Sequence, residues 1–141
     1  MPYGRTLGEI EVGQTFRHWP GRTITEFDDT LFSLLSMNLH PVHIDEHYAQ
    51  STQHGQRLVE GPIVISLVIG ISQADIGGRA LRTVEYTDVR HVAPVFHGDT
   101  IYAESEIVGK EGDVVEVATR GLNQRGEVVV TLRRKIVVPR A

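Results

Sequence analysis

Apolar residues recur at helical spacing in the first half of the chain and at every second position in the second half. Thr25–Asp28 has the form of a capping box, with a hydroxyl N-cap and an acid three residues later. Apolar residues at the spacing of one helix face follow it. They are Phe27, Leu31, Leu34 and Leu35. This pattern predicts a helix over Glu26–Ser36 that packs along its apolar face.

The longest apolar run, Ile63–Ile71, follows Pro62, which suits the first turn of a helix because its missing N–H costs nothing there. The run is apolar nearly all the way round, which is typical of a buried helix. A strand of a parallel sheet is the alternative. The length of the segment, to about Ile76, and the Gly77–Gly78 stop favour the helix.

From Thr83 onward the apolar period is two, which predicts β-strands. Lys110–Gly112 and Asn123–Gly126 have the composition of hairpin turns, so the last three strands form an antiparallel meander. Two shorter strands precede the first helix. The predicted strands are Gln14–Trp19, Arg22–Ile24, Thr83–Val89 with a proline-interrupted continuation over His91–His97, Thr100–Val108, Asp113–Gly121 and Glu127–Val138.

A single apolar helix packed in a long antiparallel sheet predicts an α+β fold. Such a sheet covers the helix on only part of its circumference. We therefore expect the remaining apolar surface to be buried against a second copy of the chain, in a homodimer.

A polar segment separates the two helices, within the sequence FSLLSMNLHPVHIDEHYA. Pro41 cannot continue a helix, and it pushes His40 toward an extended conformation. We therefore expect a fixed loop that presents Asn38, His40 and His43 beside one another. A short polar helix is predicted over Asp45–Gln50.

The chain has 141 residues, 40% of them hydrophobic and 23% charged, with a formal net charge of −4. These values predict one globular domain over residues 1–141. Nucleic acid is not expected as a partner, because no basic stretch would follow a phosphate backbone. The absence of cysteine excludes disulfides, thiolate catalysis and cysteine metal sites. The N-terminal MPYGRTLGEIEVGQTF lacks the apolar core of a signal peptide, and no apolar run approaches the roughly 20 residues of a membrane span, so we expect a cytoplasmic protein.

Three separated motifs resemble, in sequence order, those of the MaoC-like (R)-specific enoyl-CoA hydratases and dehydratases. They are FSLLSMNLHPVHIDEHYA, the LVEG that opens the apolar helix, and APVFHGD ahead of a strand. The resemblance covers Phe16–Val138. It implies a hotdog fold, in which an antiparallel sheet wraps around a buried central helix, and homodimers or assemblies of them. It also implies a thioester substrate on coenzyme A or acyl carrier protein, with no separate cofactor.

The resemblance places the family's catalytic histidine at His43. It places at Gly61 the glycine whose backbone N–H holds the thioester carbonyl. Gly61 precedes the first turn of the apolar helix, where free N–H groups and the positive end of the helix dipole point outward. A donor there stabilises the enolate that forms when water adds to or leaves a double bond. The expected activity is hydration of the 2,3 double bond of an enoyl-CoA, or the reverse dehydration.

The chain departs from the family pattern at two positions. Asn38 stands where the family has the aspartate that activates water together with the histidine. Glu60 stands where the family commonly has a histidine. An amide holds a water molecule but cannot accept its proton. A branch of the family with asparagine at the first position is associated with branched dicarboxylyl-CoA substrates such as mesaconyl-CoA or itaconyl-CoA.

Three hypotheses follow from these departures. In the first, His43 acts as both base and acid, which suits an imidazole near neutral pH, and Asn38 orients the water. In the second, Asp45 or Glu60 replaces the missing carboxylate. In the third, the site has lost its chemistry and is a non-catalytic module that binds acyl thioesters.

The supporting polar residues each have a second interpretation. His40 either takes part in the chemistry or orients the loop, and Asp45 is either an acid or a helix N-cap. Glu60 either belongs to the site or is solvated at the mouth of the helix. A metal site in HPVHIDEH is not predicted, because zinc needs three or four convergent ligands and the proline prevents the first two histidines from sharing one helix.

Hydrolysis of an acyl-CoA thioester is the alternative activity. Hotdog thioesterases generally use a carboxylate within the central helix, whereas Ile63–Ser72 contains no acid. Only Glu60, outside this run, keeps that alternative open.

Overall fold

The computed structural model describes residues 3–141, so Met1 and Pro2 of the N-terminal segment lie outside the described residues. Six antiparallel strands form a sheet of order β1-β4-β5-β6-β3, with β2 paired to β4 beside this path. The strands are β1 (Thr15–Arg17), β2 (Arg22–Thr23), β3 (Arg82–His91), β4 (Thr100–Glu111), β5 (Val114–Leu122) and β6 (Val128–Val137). The helices are α1 (Glu26–Leu35), α2 (Pro41–Ile44), α3 (Glu46–Gln50) and α4 (Gly61–Ser72), with 3₁₀ turns at Leu7–Glu9 and Gly77–Arg79.

The predicted meander is confirmed, because β4 pairs with β5 and β5 pairs with β6. Alternate residues of β4 are buried on one face of the sheet, from Ile101 to Ile107. Gly112 and Gly126 lie in the two turns with φ of 61° and 77°. Glycine adopts this left-handed conformation without the steric cost that a side chain would add.

β3 is an edge strand of the sheet, and all ten of its residues are exposed. It ends at His91, so the predicted continuation over His91–His97 is wrong. Val92 still donates its N–H to the carbonyl of Val129, at 2.8 Å, and the chain then leaves the sheet. Pro94 has no N–H to donate to a strand pairing, which explains the early end.

α4 confirms the predicted apolar helix and excludes the strand alternative. It lies across β4 and β5, where Val64 and Val68 enter the main core. The helix ends at Ser72 rather than near Ile76. Ile76 belongs to a second core cluster. The other apolar residues of α4 are only partly buried: Ile63, Ile65, Leu67, Ile69 and Ile71. The sheet therefore covers only part of the helix, as predicted. Within residues 3–141, no helix is long and apolar enough to cross a membrane.

The predicted packing face of α1 is wrong. Its buried residues are the polar Asp29 and Ser33, both 0% exposed. The carboxylate of Asp29 accepts the backbone N–H of buried Glu60, and the Ser33 hydroxyl donates to the Glu60 side chain. Because the polar side of α1 has its hydrogen-bond partners inside the fold, the apolar side of this helix faces outward. The exposed fractions there are 70% for Phe27, 41% for Leu31, 56% for Leu34 and 75% for Leu35.

A short helix, α2, replaces the loop that was predicted around Pro41. α2 begins at Pro41 itself, where the missing N–H is not needed. His40 is the N-cap of α2, and its Nδ1 accepts the Val42 N–H at 3.1 Å. α3 follows as predicted, with Asp45 as its N-cap, accepting the Tyr48 N–H at 2.9 Å.

Candidate active site

A cavity of about 430 Å³ opens beside the N-terminal end of α4. Three histidines line it: His43 from α2, His54 from the segment after α3, and His91 from the end of β3. Gly61 and apolar residues form the rest of the wall, and the apolar residues are Leu58, Val59, Val64, Val92, Ala93, Pro94, Val95 and Val129. Among the described residues no carboxylate lines this cavity, so imidazoles are its proton-exchanging groups.

A larger concavity, of about 630 Å³, lies on the sheet and is lined by charged residues of several strands. Its arginines all lie close to carboxylates. Arg120 pairs with Glu104 at 2.6 Å, and Arg17 approaches the same carboxylate at 3.8 Å. Among the residues that the structure describes, no histidine lines this larger concavity. The smaller cavity is therefore the candidate site for proton-transfer chemistry.

His43 is buried at the end of the α2 turn and has a defined tautomer. Its Nδ1 lies 2.6 Å from the carbonyl oxygen of Leu58. Because a carbonyl only accepts hydrogen bonds, Nδ1 carries the proton of the neutral imidazole and Nε2 keeps a lone pair. The Leu58 N–H donates in return to the carbonyl of Val42, at 3.0 Å, and so ties the two segments together. His43 therefore holds a base, Nε2, in a cavity that also contains a helix N-terminus.

Gly61 is the first residue of α4, and its N–H precedes the first intrahelical hydrogen bond. The ring of His91 packs against its Cα. A Cβ built on Gly61 would lie 2.6 Å from Cε1 and 2.8 Å from Nε2 of His91, which is closer than real Cβ contacts allow. A side chain at this position would therefore have to displace the imidazole ring of His91, which glycine leaves in place.

Asn38 lies in the turn that ends α1. Its N–H donates to the carbonyl of Ser33 at 3.0 Å, and the Met37 N–H donates to the carbonyl of Leu34 at 3.3 Å. This pair of bonds is a Schellman motif, with Met37 at φ 60° in the position that usually holds glycine. The side-chain oxygen of Asn38 accepts the His40 N–H at 3.3 Å. The residue is half-buried and lies beside the cavity-lining helix α2, outside the cavity wall.

His40 is exposed and also lies outside the cavity wall. Its ring centre is 6.0 Å from that of His43 and 6.3 Å from that of Tyr48. Because Nδ1 of His40 caps α2, the geometry favours a structural role for this residue over direct participation in the chemistry.

Asp45 and Glu60, the two candidate replacement acids, are both occupied elsewhere. Asp45 is exposed and caps α3. Glu60 is 3% exposed, so the interpretation that it is solvated at the helix mouth is wrong. Its carboxylate accepts hydrogen bonds from the hydroxyls of Ser33, at 3.1 Å, and Ser36, at 3.3 Å. Hydroxyl donors turned inward from α1 therefore satisfy this buried acid.

Sequence reasoning missed two of the three cavity histidines. His54 lies edge-on to Phe96, with ring centres 5.8 Å apart, and His91 contacts Gly61. Sequence reasoning also missed the pair formed by buried Asp29 and partly buried His97, whose side chains are 2.7 Å apart. His97 lies within the APVFHGD motif, but neither of the other two histidines has a local pattern that marks it as a site residue.

A second polar cluster lies in the core. His18 Nδ1 is 2.7 Å from an Asp75 oxygen, and its Nε2 is 2.7 Å from the Ser105 hydroxyl. Burial lowers the pKa of His18 in spite of the Asp75 carboxylate. The Ser105 hydroxyl also bonds to that of Thr119, at 2.8 Å, and Ser105 is only 5% exposed. This arrangement satisfies buried polar groups rather than presenting a nucleophile.

No group of three or more histidine, aspartate or glutamate side chains within residues 3–141 is placed to hold a metal ion.

Known structures identify the fold. The chain superposes on R-hydratase PhaJ1 from Pseudomonas aeruginosa with a TM-score of 0.86 and 32% identity, covering 96% of this chain and 86% of that one. It also superposes on Rv0216 from Mycobacterium tuberculosis, described as a double hotdog fold, with a TM-score of 0.88, 19% identity, and coverage of 98% of this chain and 45% of that one. The protein therefore has the α+β hotdog fold that its sequence motifs implied.

Sequence comparison identifies the family. Residues 9–126 match the family model described as MaoC like domain, and the chain belongs to this family. It is 33% identical to mesaconyl-CoA hydratase from Cereibacter sphaeroides, over 96% of this chain and 41% of that protein. It is 31% identical to beta-methylmalyl-CoA dehydratase from Chloroflexus aurantiacus, over 96% of this chain and 40% of that protein. The chain thus spans about two fifths of the length of these two curated relatives.

Proposed function

We propose that this protein adds water to the 2,3 double bond of an enoyl-CoA, or removes it in the reverse direction. We also propose that the acyl group of this substrate is a branched dicarboxylate. The observation that supports this proposal is one cavity that contains both His43, with Nε2 as a base, and the Gly61 N–H at a helix N-terminus. A base and an oxyanion donor are the two groups that the reaction requires.

In the proposed reaction the thioester carbonyl oxygen accepts a hydrogen bond from the Gly61 N–H. His43 Nε2 takes a proton from water as the water oxygen bonds to C3. The electrons of the double bond move through C2 to the carbonyl oxygen and form an enolate, which the Gly61 N–H and the helix dipole stabilise. The imidazolium then gives its proton to C2, and His43 returns to its neutral form.

The hydrogen bonds of the two candidate carboxylates support His43 as the single base, because both carboxylates already have partners. Asp45 caps a helix, and Glu60 is held by two serine hydroxyls. Asn38 lies in the turn before α2 and holds the backbone N–H of His40. We therefore assign to Asn38 the positioning of the turn before α2 rather than proton transfer.

The charge of the cavity supports a dicarboxylic acyl group. A second carboxylate on the substrate would meet His54, and no acid from the described residues would repel it. Like charges at close range are costly in a site with little water, so an acid-free wall favours an anionic acyl chain. The names of the two relatives, mesaconyl-CoA hydratase and beta-methylmalyl-CoA dehydratase, agree with this substrate class.

The same features disfavour thioester hydrolysis. α4 carries no acidic residue, and the Glu60 carboxylate is buried against α1. A carboxylate that attacks a thioester or activates water for hydrolysis is therefore not available from the central helix.

We also propose that the chain forms a homodimer. The edge strand β3 is exposed along its whole length, and five apolar residues of α4 are only partly buried. The double hotdog Rv0216 is matched by this chain over 45% of its length. A second copy of the chain supplies the second hotdog unit and covers these apolar surfaces.

The test is to mix the purified protein with mesaconyl-CoA and with a straight-chain enoyl-CoA, and to follow the conjugated ultraviolet absorbance and the release of free thiol together. We expect loss of absorbance without thiol release, fastest with mesaconyl-CoA. His43→Gln should lower kcat by roughly 10²–10⁴, the usual contribution of a positioned acid–base group. His47→Gln, which changes an exposed histidine of α3, is the control and should leave the rate unchanged.

Thiol release without loss of absorbance would instead assign the protein to thioester hydrolysis. A His43→Gln variant with activity within a few-fold of the parent would remove His43 from the mechanism. Binding of the thioester with neither reaction would support a non-catalytic module.

A further inference from the structure

His91 has no part in the proton transfers that the proposed mechanism assigns to His43. It is the last residue of β3 and lines the same cavity as His43. The three atoms nearest to a Cβ built on Gly61 all belong to the His91 ring, at 2.6, 2.8 and 3.2 Å. The His91 ring thus lies against Gly61, whose N–H is the proposed oxyanion donor.

The N-terminus of α4 provides few other donors. Pro62 has no N–H, and the Ile63 N–H already donates to the carbonyl of Glu60 at 3.1 Å. Among the described residues, the Gly61 N–H is therefore the donor that this first turn leaves for a ligand. An enolate oxygen accepts more than one hydrogen bond, and oxyanion sites generally combine donors.

The ring nitrogens of His91 have no hydrogen-bond partner within residues 3–141. In contrast, Nδ1 of His43 is bound to Leu58, and Nδ1 of His40 is bound to Val42. Nothing in the described fold therefore competes with a ligand for the N–H of His91. Its ring instead lies against Gly61.

We propose that His91 is a second catalytic donor, whose ring N–H binds the thioester carbonyl oxygen beside the Gly61 N–H. This assignment rests on the proposed hydratase function. The imidazole stabilises the enolate by donating a hydrogen bond and takes no part in moving the protons of water, which His43 carries.

The test compares His91→Gln, which keeps an N–H donor, with His91→Leu and His91→Phe, which keep bulk without one. His47→Gln and His47→Leu, on the exposed surface of α3, are the matched controls. The readouts are kcat and KM for mesaconyl-CoA, and the carbonyl stretching frequency of bound butyryl-CoA carrying ¹³C at the carbonyl. Butyryl-CoA has no double bond, so the spectrum is measured without turnover.

We expect His91→Leu and His91→Phe to lower kcat by roughly 10²–10³, as in other lost oxyanion donors, with little change in KM. Both should raise the carbonyl frequency toward that of free butyryl-CoA. His91→Gln should retain most of the frequency shift and most of kcat. The His47 variants should match the parent, and circular dichroism should be the same for all of them.

The proposal is overturned if the carbonyl frequency is the same in the parent and in His91→Leu, or if glutamine and leucine are equally damaging. It is also overturned if the parent does not bind butyryl-CoA. A frequency shift that depends on His91 in a protein without hydratase activity would uphold the donor role and reject the proposed function. Hydratase activity of His91→Leu within twofold of the parent would reject the donor role and leave the proposed function in place.

Discussion

His43 and His40 belong to the same helical turn, and opposite hydrogen bonds give them opposite protonation patterns. Nδ1 of His43 donates to the Leu58 carbonyl, which leaves Nε2 as a base. Nδ1 of His40 accepts the Val42 N–H, so a neutral His40 carries its proton on Nε2. The sequence shows two histidines beside a proline, but only the backbone around them distinguishes a base from a donor.

Asn38→Asp tests whether Asn38 determines the charge of the substrate. The new carboxylate can still accept the His40 N–H, so we expect the fold to persist. Activity toward a straight-chain enoyl-CoA should be improved or unchanged. Activity toward mesaconyl-CoA should fall, because the new carboxylate would repel the second carboxylate of the substrate.

The measurement is kcat/KM for both substrates, with Asn38→Ala as the comparison. Asn38→Ala should lower both rates without abolishing them, because it removes only the hydrogen bond that holds the turn before α2. Equal effects of Asn38→Asp on both substrates would show that Asn38 does not encode substrate charge.

At the scale of elements, α1 buries its polar face, and this predicts an unusual order of mutational effects. Ser33→Ala removes a donor to the buried Glu60 carboxylate and should lower the free energy of unfolding by about 1–3 kcal/mol. Leu35→Ala, at a residue that is 75% exposed, should change it by less than about 0.5 kcal/mol. Denaturant unfolding of both variants at one protein concentration measures the difference. A larger loss for Leu35→Ala would mean that the apolar face of α1 is the packed face after all.

The first turn of α1 should give a stability that depends on pH. Hydrogen bonds from the Arg22 guanidinium lower the pKa of Asp28 from 3.8 to about 2. Because the folded-state pKa is the lower one, the ionised form stabilises the fold fully above about pH 4, and this contribution is lost as the pH falls through 2. Asp28 also accepts the Thr25 N–H in the capping box.

Asp28→Asn should therefore lower the free energy of unfolding by about 1 kcal/mol at pH 7, the usual size of a helix-cap effect. The difference from the parent should shrink as the pH is lowered from 4 to 3. Arg22→Gln should show the same trend, and the double variant should lose little more than either single one. Thermal unfolding at several pH values measures all three, and a difference independent of pH would contradict the ion pair.

At the scale of the whole molecule, the exposed edge of the sheet predicts self-association. Val84 lies on β3 and is 43% exposed, so a lysine there would place charge at the proposed junction of two sheets. Val84→Lys should shift the protein from dimer to monomer in sedimentation velocity at micromolar concentration. Val12→Lys, at a residue that is 59% exposed and outside the sheet, is the matched control and should remain dimeric. A stable, well-folded monomer of the parent protein would contradict the proposed homodimer.

The sequence by itself determined the local elements of this protein. The apolar run after Pro62, the alternation from β4 to β6, the capping box before α1 and the α3 N-cap depend on residues a few positions apart. Short-range periodicity and turn chemistry are sufficient for such features. The motif match likewise located His43 and Gly61, which the structure places on one cavity wall.

Only the tertiary structure decided which side of α1 is buried, where Glu60 points and which other histidines reach the cavity. These outcomes depend on contacts between distant residues, such as Ser33 with Glu60 and Gly61 with His91. A buried carboxylate must be given donors wherever the fold can provide them, and here that requirement prevailed over the apolar face of a helix. No local pattern contains that information, because the partners meet only when the sheet and α4 bring them together.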